Sequence, residues 1–161
     1  MSQIKRYTLI NKHIGRGSLF SQSNHALNEL WLKFHKKEFS AGGIQLMEKW
    51  LEEPIEVVLD GGRHIDLENF FSEVQKIQDI PAAKFNESME DLMGACTSLT
   101  LVASERVVAM NNFARFNSFT YANAFEKLKA LSAEELGFTD GIPPTESEAF
   151  VAWKLAFLKE V

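Results

Sequence analysis

The side chains best suited to move protons are four histidines, His13, His25, His35 and His64, all within the first 64 positions of a 161-residue chain. An unperturbed imidazole changes charge near neutral pH, which makes histidine the usual general acid or base. His25 lies four positions before Glu29, and His35 three before Glu38, so each pair shares a helix face. Such pairs can hold a metal where two helices meet, and they also make up ordinary hydrogen-bonded helix surface. The spacings that mark a metal centre are missing: there is no His-Glu-x-x-His, no Glu-x-x-His and no second cysteine. No metal and no cofactor is therefore expected. His13 and His64 could share acid–base work only if the fold joined them, which their spacing does not require.

Nucleophilic chemistry has less support. Cys96, the only cysteine, sits inside the uncharged run Leu92–Ser104. A thiol there is a small inert hydrophobe rather than an activated thiolate, and no internal disulfide can form. There is no Gly-x-Ser-x-Gly elbow. Gly15-Arg16-Gly17-Ser18 lacks the third glycine of a dinucleotide fingerprint and the Lys-Ser/Thr of a phosphate loop, so it reads as a flexible turn. Asn111 to Phe119 interleaves phenylalanines, amides and Arg115, as base-stacking strips do. Phe113, Phe116 and Phe119 also recur near helical spacing, which favours packing. No catalytic residue is assigned.

The broadest chemical feature is acidic. Glu52, Glu53, Glu56, Asp60, Glu68, Glu73, Asp79, Glu87 and Asp91 far outnumber the bases around them. Residues 50–105 carry twelve acids against three bases, whereas residues 1–49 carry eight bases against three acids. The whole chain has a net charge of −5, which argues against a general nucleic-acid binder. A small rigid acidic protein can occupy the basic groove of another protein, with long-range attraction speeding the encounter. The leading expectation is a non-enzymatic protein-binding module. In its most concrete form it is an inhibitor or immunity protein that neutralises a basic toxin or nuclease through those nine acids. Two alternatives stand beside it: a small enzyme using histidine and carboxylate groups, and a regulator touching nucleic acid through the basic first third. A monomer or weak homodimer is expected.

These groups must be positioned by secondary structure, and the apolar pattern predicts helices. Met89, Leu92, Met93, Cys96, Leu99, Ala103, Val107 and Met110 recur in steps of three and four, and the opposite side of the same stretch is also uncharged. That predicts a central helix over about 86–116, buried all round. Further helices are expected over 23–39, 44–52, 66–78 with Asp66 as N-cap, 119–131, and from Thr145 onward. Ser132–Glu135 and Thr145–Glu148 read as capping boxes. Residues 54–62 favour a short helix, with a β-ribbon pairing 6–10 and 55–59 as the strand alternative. The expected fold is an all-α bundle of six to eight helices, one domain over 1–161. The single cysteine, and the lack of an apolar run near 20 residues, point to the cytoplasm with no membrane segment.

Overall fold

The computed structural model describes residues 3–14 and 18–161, with Asp91 described by its backbone alone. The turn expected at Gly15-Arg16-Gly17 lies outside these residues. The all-α, helical-bundle expectation is overturned. The chain builds a mixed four-stranded sheet with helices on both faces. In chain order the elements are β1 (Lys5–Asn11), α1 (Leu19–His35), α2 (Ala41–Glu52), β2 (Glu56–Gly62), α3 (His64–Gln75), β3 (Ala82–Asn86), α4 (Met89–Leu92), β4 (Cys96–Ala103), α5 (Glu105–Phe116), α6 (Tyr121–Ala130) and α7 (Glu146–Phe157). The strands lie in the order β2-β1-β4-β3, with β1 parallel to β2 and β4 antiparallel to both its neighbours.

The expected central helix over 86–116 divides into a turn, a strand and a helix. Its first part contains α4 and then β4, all eight of whose residues are buried. β4 is hydrogen-bonded on both edges and covered on both faces, so it needs no polar side. Such a strand reads as a continuous uncharged run, and the alternation that would mark it as a strand is absent. Ser104 then accepts the Val107 N–H at 3.3 Å and starts α5, which fills the second part. The short helix favoured over 54–62 is likewise replaced, by β2. Its pairing follows the ribbon alternative, with Tyr7 opposite Val57 and Leu9 opposite Leu59, as part of a larger sheet. A parallel pair needs a long crossover, which α1 and α2 supply.

The two faces of the sheet differ. Tyr7, Leu9, Leu99, Leu101 and Ala103 pack with α3, α5 and α7 in the main apolar core. On the other face Ala83 and Val102 meet Leu30 of α1 and Met47 and Trp50 of α2. That face also buries polar groups. Arg6 pairs with Glu56 at 2.5 Å and lies 5.3 Å from the Trp50 ring centre, and Thr8 meets Thr100 at 3.0 Å. Arg6 Nε has no partner. Burial lowers the Arg6 pKa, and the charge and hydrogen bond of Glu56 oppose that shift.

One of the expected helix starts is matched at its cap, and others are shifted: the helix expected from Ser23 begins at Leu19. Thr145 and Glu148 form the expected capping box for α7, and Ser132 and Glu135 exchange the expected reciprocal bonds. Asp66 lies one turn inside α3 rather than at its cap, where its carboxylate accepts the Arg63 N–H at 2.9 Å. Gly42 and Gly43, between the helices expected over 23–39 and 44–52, lie in the first turn of α2, which starts at Ala41 and is capped by Ser40. Among the described residues, no helix is long and apolar enough to cross a membrane.

Candidate functional site

The strand directions place the carboxyl ends of β1, β2 and β3, and the start of β4, along one rim of the sheet. In open α/β sheets the loops at this rim are where ligands are held. Two irregularities occur here. The β1–β2 register passes from Ile10↔Asp60 to Asn11↔Gly62, leaving Gly61 as the extra residue. The β3–β4 register passes from Phe85↔Ser98 to Asn86↔Cys96, leaving Thr97 extra. A bulge re-aims a side chain, and bulges concentrate next to functional sites. At Gly61 a Cβ would stand 2.5 Å from Leu67 Cδ2 and 2.9 Å from Leu9 Cβ, so only glycine fits.

The second bulge turns two consecutive side chains toward α1. Thr97 Oγ1 donates to Gln22 Oε1 at 2.5 Å, and Ser98 Oγ donates to the Gln22 carbonyl at 2.7 Å. Gln22 Nε2 in turn donates to Glu87 at 2.9 Å. The buried Gln22 amide is therefore fixed at both ends, and it ties the first turn of α1 to the β3–β4 connection. Beside it Asn11 donates to the Cys96 carbonyl at 3.1 Å and accepts the His13 N–H at 3.0 Å.

On the other side of the rim His64 opens α3. Its Nδ1 accepts the Cys96 N–H at 2.8 Å, so the neutral ring carries its proton on Nε2. Glu68, one turn on, accepts from Lys84 at 2.6 Å and from Asn86 at 3.2 Å. Burial alone would raise the Glu68 pKa, but these bonds and the Lys84 charge outweigh it and lower it. Cys96 is buried, and burial first, then the Glu68 charge, pushes its thiol up to about 11. Its burial agrees with the expectation of a thiol inside an apolar run.

The rim also exposes apolar surface. Met89, Leu92 and Met93 are 72%, 49% and 82% exposed, and they occupy the connection between β3 and β4. Phe20, 86% exposed, stands in the first turn of α1, and Ile65, 52% exposed, in that of α3. The sequence placed Met89, Leu92 and Met93 on a buried stripe. They lie outside the core because the helix they were assigned to does not exist.

The nine acids do not gather into one surface. Glu52 and Glu53 are exposed at the end of α2, next to the start of β2. Glu56 pairs with Arg6, and Asp60 accepts the Gly62 N–H at 2.9 Å. Glu68 is held by Lys84, and Glu73 by Lys76 and Ser147. Asp79 accepts from Ser40 beside α2. Glu87 and Asp91 belong to the β3–β4 connection, Asp91 within α4. Linear counting missed Arg6 as the partner of Glu56 because the two sit fifty positions apart and meet only through parallel pairing.

The other candidates are also placed. His25 stacks on Phe85 at 4.3 Å and bonds Ser21, while His35 packs against Trp31. His13 and His64 both belong to the rim. Among the described residues no group of three or more His, Cys, Asp or Glu side chains is arranged to hold a metal ion. In the aromatic strip, Asn111 donates to the Ala152 carbonyl and Phe113 packs edge-on to Phe119, which is core work. Phe116 of that strip is exposed. Gln22, Asn11 and Thr97 carried no sequence signal, because lone amides and a threonine become informative only when a bulge and a helix start bring them together. No protein-family model matches the chain, and no curated protein matches it at a significant level.

Proposed function

We propose that this chain is a protein-binding module whose docking surface is the rim around α4, and that its partner is a basic protein. The observation that carries this reading is the exposure of Met89, Leu92 and Met93 in one short connection at the rim. Single exposed apolar residues are ordinary, whereas a cluster held out by bonded backbone marks an interaction site. The backbone here is held: the Glu87 N–H donates to the Ala95 carbonyl, and Asn86 donates to the Gly94 carbonyl. Methionine and phenylalanine are enriched at interface centres, and flexible methionines adapt to the shape opposite. Charge selects the partner. Glu87 and the exposed Glu90 flank the apolar residues, a rim that favours positive charge opposite. An inhibitor or immunity protein that blocks a basic toxin or nuclease is the functional class that fits, with a narrower contact than nine acids would make.

The test is capture of partners by the purified chain at low salt, alongside a Met89→Ser/Leu92→Ser/Met93→Ser variant and a Glu87→Lys/Glu90→Lys variant. The expected result is a basic protein retained by the parent chain and lost with the serine variant. The charge reversal should slow association, and salt near 0.5 M should do the same as screening falls to a few Å. Retention by all three proteins would overturn the reading.

A second reading is favoured by one observation, the fixed tautomer of His64 at the carboxyl ends of parallel strands. That geometry suits a neutral electrophilic donor, whose Nε2–H could polarise a carbonyl or phosphoryl oxygen. Turnover of any activated ester or phosphoester, abolished by His64→Gln with folding intact, would promote it over the first.

A further inference from the structure

A cleft of about 330 Å³ opens between the Gly61 bulge, α3 and the face made by α6 and α7. Its floor is apolar, built from Leu9, Phe70, Phe150 and Leu158, and Asn69 and Lys154 stand at its wall.

Lys154 is held in an unusual way for a lysine. Its ammonium donates to the Tyr121 hydroxyl at 2.8 Å and lies 4.1 Å from the Trp153 ring centre, with the Tyr121 ring at 5.2 Å and Phe150 at 5.7 Å. Rings attract the cation through their quadrupoles but do not neutralise it. Among the described residues no carboxylate forms an ion pair with it. Asp66 faces the same cleft, but its carboxylate is committed to the Arg63 N–H at 2.9 Å and to Arg63 Nε at 3.4 Å. An ammonium has three donors, and the Tyr121 hydroxyl uses one. A positive charge with free donors therefore sits at the wall of an apolar recess, on a helix that packs into the core.

We infer that this cleft is a binding site for a small organic acid, with the carboxylate on Lys154 and an aromatic or branched apolar body on the floor. The volume is at the small end of ligand pockets, which restricts the occupant to roughly the size of a single ring with a short acidic arm. The site is distinct from α4 and makes no use of the partner surface.

Trp153 supplies the reporter, because its indole N–H donates to the Tyr121 carbonyl at 2.9 Å at the edge of the aromatic cage. The experiment is an amide and indole NMR titration of the full chain with phenylacetate, phenylacetamide and inorganic phosphate. Phenylacetate should shift the Trp153 indole and the Gly61 and Gly62 amides saturably. Phenylacetamide, which keeps the body and loses the charge, should bind about tenfold more weakly, the worth of one charge-assisted hydrogen bond. Lys154→Met, which retains the apolar stem under the rings, should erase that preference while leaving the rest of the spectrum in place. Equal binding of acid and amide would overturn the inference. So would a preference for the acid over the amide that persists in Lys154→Met, equal shifts with phosphate alone, or no response up to about 10 mM phenylacetate.

Discussion

Two connections in this molecule treat most of their apolar residues in opposite ways, although Ile142 of the first is exposed as well. Residues 131–145 join α6 to α7, and Leu131, Leu136 and Phe138 of that segment pack against the main core. Arg106, reaching out from α5, fastens it. Its guanidinium bonds Glu148 at 2.7 and 3.0 Å, Asp140 at 3.0 and 2.9 Å, and the carbonyls of Ile142 and Pro143, and it covers the Phe138 ring at 4.0 Å. Residues 87–95 join β3 to β4, and there Met89, Leu92 and Met93 face outward. Both segments have bonded backbones. The exposure in the second is therefore a property of how the segment is built rather than of loose packing, and it is the difference a docking surface would show.

The largest effect expected from breaking this contrast is at Arg106. Arg106→Ala leaves Glu148, a buried carboxylate, without its counter-charge, and urea unfolding should show a loss of about 3 kcal/mol. Arg106→Lys should recover little, since a point charge cannot span Glu148, Asp140 and two carbonyls at once. A loss under about 1 kcal/mol would mean that the packing of Leu136 and Phe138 holds the segment unaided. At the other connection, Met89→Ser, Leu92→Ser and Met93→Ser should each move stability by no more than about 0.5 kcal/mol, because the side chains are already in water. Their effect belongs to partner capture. A large loss of stability at any of the three would place that residue in the core and remove it from the interface.

The scaffold beneath the rim should show itself in acid. The Glu68 pKa is lowered by its bonds to Lys84 and Asn86. A carboxylate depressed on folding adds stability above its ordinary value, here 4.5, and loses it as pH falls through the folded value. Unfolding midpoints measured on either side of that value should therefore drop on the acid side, and Glu68→Gln should flatten the drop. At neutral pH the same substitution should cost less than about 1 kcal/mol, because the pair is partly open to solvent. The smallest effect is expected at Cys96, whose thiol is pushed up to about 11 by burial. Thiol reagents should leave the folded chain unlabelled, and Cys96→Ala should keep partner capture intact. Fast labelling of folded protein would contradict the burial.

Two local capping devices were legible in the sequence and the sheet was not. Thr145 with Glu148, and Ser132 with Glu135, are local devices three residues apart, so reading them needs no knowledge of the rest of the chain. β4 is the opposite case. Cys96, Leu99 and Ala103 do step by three and four, but the spacing is an accident of a strand covered on both faces, where every position tolerates an apolar or small uncharged residue. Once β4 is read as a helix, β1 and β2 lose their central partner and look like a marginal ribbon. The rim follows the same logic. Glu87 was visible as an acid, but its bond to Gln22 joins residues 65 positions apart, and the exposure of Met93 depends on α4 being one turn long.

The position of β1 has a consequence for how the chain acquires its structure. β1 is made first, yet it bonds to β2 on one edge and to β4 on the other, and Thr8 waits for Thr100 across 92 positions of chain. Contacts this distant close large loops before they return any stabilisation, which slows folding. During synthesis β1 and β3 would both be complete while the strand between them is still missing, each with an open hydrogen-bonding edge. Until residue 103 is available, the emerging chain is most exposed to pairing with the wrong strand, and chains truncated before β4 should aggregate rather than stay partly folded.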